Sequence, residues 1–93
     1  MERRAFRLTV RGRVQGVGYR WWASDEARRL GIDGWVRNRR DGSVEILAIG
    51  AEEAVQRLIE ACRRGPPAAA VNSVECADAD DDGSAGFYDR PTV

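Results

Sequence analysis

A chain of 93 residues, 43% hydrophobic and 32% charged, has room for one two-layer core and not for two, so it is read as a single domain over residues 1–93. Fifteen basic residues, all arginine, balance fifteen acids, but residues 1–40 hold 11 arginines against 4 acids and residues 41–93 hold 4 against 11, a polarity that suits an anionic partner or simply a solvated surface. With no histidine and two cysteines, histidine base catalysis is excluded, and a zinc site or a disulfide framework is not expected.

From Ala5 to Arg13 the apolar Phe6, Leu8 and Val10 alternate with Arg7, Thr9 and Arg11, which predicts a strand with one buried face. The glycine-rich stretch Val14-Gln15-Gly16-Val17-Gly18-Tyr19-Arg20 follows. Its glycines allow successive backbone N–H groups to turn toward one point, and the guanidinium of Arg20 forks onto two oxygens of an anion. Trp22, Ala23, Ala27 and Leu30 then recur at helical spacing, with Gly31 as a left-handed stop.

The segments from Ile32 to Arg39 and from Ser43 to Ile49 flank Asp41-Gly42, a strong hairpin signal, and are expected to pair antiparallel. A second helix runs from about Ala51 to Arg64, with Ala54, Val55, Leu58, Ile59 and Cys62 as its apolar stripe. Glu52 and Glu53 in its first turn and Arg63 and Arg64 in its last suit the helix dipole, and Gly65-Pro66-Pro67 ends it. Val71 to Cys76 reads as a further strand, Asp78 to Gly86 as an acidic, mobile loop, and Phe87 to Arg90 as a short edge strand before Pro91.

This order predicts an α+β, ferredoxin-like split βαβ fold (βαββαβ): an antiparallel sheet with two helices on one face and a short fifth edge strand. The first two strands then run parallel with the third between them. The glycine loop and Asn38 meet at one sheet edge, on the order of 10 Å apart, a gap that an arginine, a phosphoryl group and one water span.

The loop is neither a Walker A motif nor a dinucleotide fingerprint. Taken alone it is also compatible with a tight strand-to-helix connection and a solvated Arg20, as Asn38 is with local turn bonding. Beside Arg20, an amide at Asn38 holds a water without changing protonation. Trp21, Trp22 and Trp35 read as core packing, or as pocket walls, rather than as a base-stacking platform, and no RNA-recognition signature is present. Cys62 and Cys76 read as small core residues, since neither has an arginine six positions on; Ala68 and Asp82 stand there. Asp78, Asp80, Asp82, Gly83 and Asp89 match a calcium-loop spacing, but such a loop needs flanking helices, and a solvated acidic loop is the expectation.

No apolar run approaches the roughly 18 residues of a membrane helix. The start, Met1-Glu2-Arg3-Arg4, lacks a secretory apolar stretch, so a cytoplasmic protein with no membrane partner is expected.

The stretches Gly12 to Arg20, Gly34-Trp35-Val36-Arg37-Asn38 and Asp41-Gly42-Ser43-Val44-Glu45 together resemble the acylphosphatase family. The likeness continues through Gly65-Pro66-Pro67 and the Phe87 to Pro91 tail, so it covers nearly the whole chain in order. It implies that the loop N–H groups of Gln15, Gly16, Val17, Gly18, Tyr19 and Arg20, with the Arg20 guanidinium, bind a phosphoryl group, and that Asn38 orients the attacking water. Two departures stand out: Tyr19 where many relatives have phenylalanine, and the acidity of the Asp78 to Asp82 run.

The implied activity is hydrolysis of a small-molecule acyl phosphate to carboxylate and inorganic phosphate. Its leaving group, a carboxylate whose acid has a pKa of about 4 to 5, needs no general acid. The lack of histidine and of an evident metal site fits a metal-independent, cofactor-free reaction. No nucleic-acid partner is expected, and a monomer is the default for a small domain of ordinary surface polarity. The other reading is a non-catalytic anion or nucleic-acid binding module using the same loop or the basic N-terminal half.

Overall fold

The computed structural model describes residues 2–93; Met1, the first residue of the charged start, lies outside them. The chain runs β1 (Arg4–Arg13), α1 (Tyr19–Arg29), β2 (Asp33–Asn38), β3 (Val44–Gly50), α2 (Glu52–Arg64), β4 (Ala70–Asp78) and β5 (Phe87–Asp89). The strands form one sheet in the order β4-β1-β3-β2-β5. The alternation in β1 sends Phe6, Leu8 and Val10 to the helical face, where they meet Ala23 and Ala27 of α1 and Val55, Leu58, Ile59 and Cys62 of α2 in one core. Both helices therefore lie on one face, as the pattern predicts. The ladders Val10↔Val44 and Asn38↔Val44 put the end of β1 and the end of β2 on either side of the start of β3.

Two expectations are corrected at the sheet edges. The fifth strand pairs with β2 in parallel, Gly34↔Phe87 to Val36↔Asp89, so the sheet is mixed rather than wholly antiparallel. The reason lies in residues 79–86, which carry the chain from one edge to the other across the open face and so deliver β5 alongside β2 in the same direction. That acidic segment is tethered rather than loose. Ala79 donates its N–H to the Ala5 carbonyl and packs against the small cluster of Ala5, Leu47 and Ile49. Arg3 pairs with both Asp81 and Asp33, Trp35 donates its indole N–H to Asp82 at 3.2 Å, and Gly86 N–H donates to Asp33 at 2.9 Å.

The opposite charges of the two halves meet in space. Arg3 pairs with Asp81, Arg4 with Glu52 and Asp78, Arg11 with Glu75 and Asp41, and Arg20 with Asp89. Much of the N-terminal basic excess is thus neutralised by C-terminal carboxylates, which leaves less of it for a polyanion. Cys62 is buried, as expected, but Cys76 is exposed, because it lies on the outer edge strand.

Glu45 on the central strand is the buried carboxylate of the open face, 4% exposed as a residue. Burial pushes its pKa up, but hydrogen bonds from Arg37 (2.7 Å) and Arg39 (3.0 Å) outweigh this and hold it below its ordinary 4.5. A depressed folded pKa contributes stability above the unfolded value that is lost as pH falls through the folded one. Glu45→Gln is therefore expected to cost about 1–3 kcal/mol at neutral pH, read as a lower urea midpoint. The difference from wild type should shrink on acidification below 4.5, because the other titrating carboxylates are common to both proteins. A gap independent of pH would show that the carboxylate charge is not what stabilises.

Candidate active site

The turn between β1 and α1 is built on two glycines in the left-handed region, Gly16 at φ 74° and Gly18 at φ 80°. A Cβ would meet nothing within 4 Å at either position, so backbone conformation and not space is what calls for glycine there. Gly18 is the N-cap of α1, and no side chain caps that end or places an acid in its first turn. The first N–H groups of the helix are left for an outside acceptor, at the positive end of its dipole.

Four side chains fix this turn in place. Val14 is 1% exposed, and Val17 packs its side chain against the core, so Val17 is the one proposed loop residue that does not line the cleft. Gln15 donates both bonds of its amide to the β2–β3 hairpin, to the carbonyls of Arg39 at 2.7 Å and Ser43 at 2.8 Å. The loop is thereby held to the residue next to Asn38. Tyr19, at the first position of α1, is 2% exposed and donates its hydroxyl to the Cys62 carbonyl of α2 at 2.7 Å. Its phenol pKa is pushed up by burial, and the hydrogen bond gives the tyrosine a function that phenylalanine lacks.

Loop, Arg20 and Asn38 line one cleft of about 180 Å³, together with Trp21 and Asp89. Asn38 is the last residue of β2, and its Oδ1 is buried with no hydrogen-bond partner among the described residues. Such an acceptor costs free energy in the folded protein unless something supplies a donor. The Arg20 guanidinium stays partly exposed, with Nη1 at 3.4 Å from Asp89 Oδ1. The cleft thus combines a glycine-built turn at a helix N-terminus, one guanidinium with a carboxylate beside it, and one free carbonyl acceptor. That set suits an anion with a water beside it.

A sequence profile of the acylphosphatase family matches residues 6–88. The chain is 48% identical over 92 residues to an acylphosphatase of Rhizorhabdus wittichii, covering 99% of this chain and 93% of the other. It is 54% identical over 85 residues to an acylphosphatase of Azoarcus sp., covering 91% and 87%. The chain belongs to the acylphosphatase family. Its fold superposes on the crystal structure of acylphosphatase from Bacillus subtilis with a TM-score of 0.89 and 40% identity, covering 92% of this chain and 97% of that one.

Within this acylphosphatase frame, sequence reasoning missed three features of the cleft. Asp89 was hidden in an acidic tail, and only the parallel docking of β5 on β2 carries it to Arg20. Gln15 was legible as a loop residue, but the target of its side chain lies 24 residues away. Trp21, read as core packing or as a pocket wall, does line the cleft, but its 75% exposure was not foreseen; the helical phase that turns Trp22 inward against Tyr19 turns its neighbour out. Trp22 and Trp35 pack as partly buried residues against the main and the open-face clusters.

The calcium-loop spacing does not assemble: strands β4 and β5 flank it, Asp81 is committed to Arg3, Asp82 to Ser84 and Trp35, and Asp89 to Arg20. Among the described residues no three His, Cys, Asp or Glu side chains group to hold a metal ion, and no helix is long and apolar enough to cross a membrane.

Proposed function

We propose that this chain hydrolyses acyl phosphates without a metal ion or cofactor, with water attacking phosphorus and the acyl carboxylate leaving. The observation that carries the reading is the unpartnered Oδ1 of Asn38 in the cleft that holds the glycine loop and Arg20. The N–H groups from Gln15 to Arg20 and the Arg20 guanidinium bind the phosphoryl oxygens and stabilise the charge that spreads over them in the transition state. Asn38 accepts a hydrogen bond from the water and aims its oxygen at phosphorus. A bond forms from water oxygen to phosphorus, the bond from phosphorus to the acyl oxygen breaks, and the water protons end on the phosphate. No general acid is needed, because the departing carboxylate is a weak base.

The test is release of inorganic phosphate from acetyl phosphate by the purified protein in excess EDTA. Turnover is expected to persist, and to vary little across the roughly pH 5 to 8 window in which histidine would titrate, because an amide does not ionise and a guanidinium stays charged. Phosphate bound without turnover would move the reading to a non-catalytic anion binder, and a steep neutral limb in kcat would contradict the assigned roles.

Asp89 competes with the phosphoryl group for Arg20. Asp89→Asn is expected to tighten inorganic phosphate binding by about 1.5- to 5-fold, the worth of one exposed ion pair, read as a lower Ki for phosphate. Weaker binding in that variant would mean that Asp89 instead holds Arg20 in its productive position.

The protein is read as a cytoplasmic monomer acting on small molecules. Its two cysteines are free thiols, as suits a reducing compartment. Among the described residues the large exposed apolar side chains are Trp21, Tyr88 and Val93, few for an obligate interface.

A further inference from the structure

The cleft holds one large apolar surface that phosphoryl binding does not use. Trp21 follows Arg20 in the first turn of α1, lines the same cleft, and is 75% exposed. The other apolar side chains lining the cleft, Val14 and Tyr19, are 1% and 2% exposed and offer a ligand almost nothing. What remains is backbone and polar groups suited to the phosphoryl end. An exposed indole is a rigid, flat face that costs little conformational freedom to cover, and aromatic rings pack on it in offset or edge-to-face geometry. Asp89 is the one carboxylate in the lining, and it opposes an acyl group that carries a second negative charge.

We propose that the ring of Trp21 is the acyl-group subsite and that it directs the enzyme toward uncharged aromatic acyl phosphates. This inference rests on the reading of the cleft as an acyl phosphate site. The phosphoryl group enters the glycine loop, and the acyl group lies outward from it against the indole. The acyl group rests on the indole alike in the ground state and the transition state, so this uniform binding lowers KM for the aromatic substrate and leaves kcat in place.

The experiment compares benzoyl phosphate with acetyl phosphate in wild type, Trp21→Ala and Trp21→Phe. Comparing the benzoyl-to-acetyl ratio of kcat/KM between proteins cancels the different intrinsic reactivities of the two compounds. In Trp21→Ala the ratio is expected to fall about tenfold, near the worth of one aromatic contact with the area it covers. The fall should appear in KM for benzoyl phosphate, and Trp21→Phe should restore most of it. The exposed position makes folding of both variants the expectation, and urea midpoints check it. A ratio unchanged in Trp21→Ala, or a fall carried by kcat and not restored by phenylalanine, overturns the subsite while leaving the hydrolase reading intact. Failure of wild type to hydrolyse either compound overturns both.

Discussion

Arg20→Lys is expected to lose about a hundredfold or more in kcat/KM while folding as the wild type does. Lysine keeps the charge but not the planar fork, and a lost transition-state donor of this kind costs roughly 3 kcal/mol or more. Among the described residues the native side chain has one polar partner, Asp89 at 3.4 Å, and is 38% exposed, so its removal should leave the urea midpoint in place. The α1 backbone is supported independently, since Ser24 Oγ donates to the Arg20 carbonyl whatever the side chain. Activity therefore reports on the guanidinium and not on the fold. Turnover near the wild-type value would remove Arg20 from the chemistry and leave the loop amides as the sole anion site.

In Asn38→Ala, kcat is expected to fall by about two orders of magnitude, the penalty of a misplaced reactant, while the Ki for inorganic phosphate changes little. In the proposed mechanism the amide holds the water and not the phosphoryl group, so its contribution belongs to the transition state. Stability should move the other way. The Oδ1 is a buried acceptor with no partner, and deleting it removes a desolvation cost of about 1–3 kcal/mol. An inactive variant with an unchanged or raised urea midpoint would show a residue kept for function at the expense of stability. Equal losses in kcat and phosphate affinity would instead mean that Asn38 shapes the anion pocket.

The pH behaviour of this protein should divide in the same way. Stability responds to acid through groups away from the cleft. Asp33 is held below the ordinary carboxylate range by the Arg3 guanidinium and Asp41 by the Ser43 hydroxyl and N–H, and Glu45 lies beneath its arginines. The proposed water-holding group, the Asn38 side chain, is an amide and carries no titrating proton.

How much of this was legible beforehand depends on the range of the interaction involved. The β1 alternation, the α2 stripe and the Asp41-Gly42 hairpin were readable because each is a rule about near neighbours: which face a side chain takes, or which turn two residues permit. The glycine loop was readable for the same reason, as Gly16 and Gly18 declare a backbone conformation whatever surrounds them. Placing Asn38 beside it needed one further step, the strand order, and that followed from connection rules with few solutions.

By itself, then, the sequence determined the elements, the two-layer fold and the meeting of Arg20 with Asn38 at one sheet edge, all from local periodicity and turn chemistry. Tertiary structure alone decided the rest. It put Asp89 against Arg20, tied Gln15 to the hairpin, left the Asn38 oxygen unpaired, turned Trp21 outward and Cys76 into solvent, and pinned the acidic segment across the open face through Arg3, Asp33 and Trp35. Each of these joins residues distant in sequence, or depends on what a neighbouring element leaves uncovered. Periodicity assigns a side chain to a face but does not say what stands opposite it, and at this site the partner opposite is what sets the chemistry.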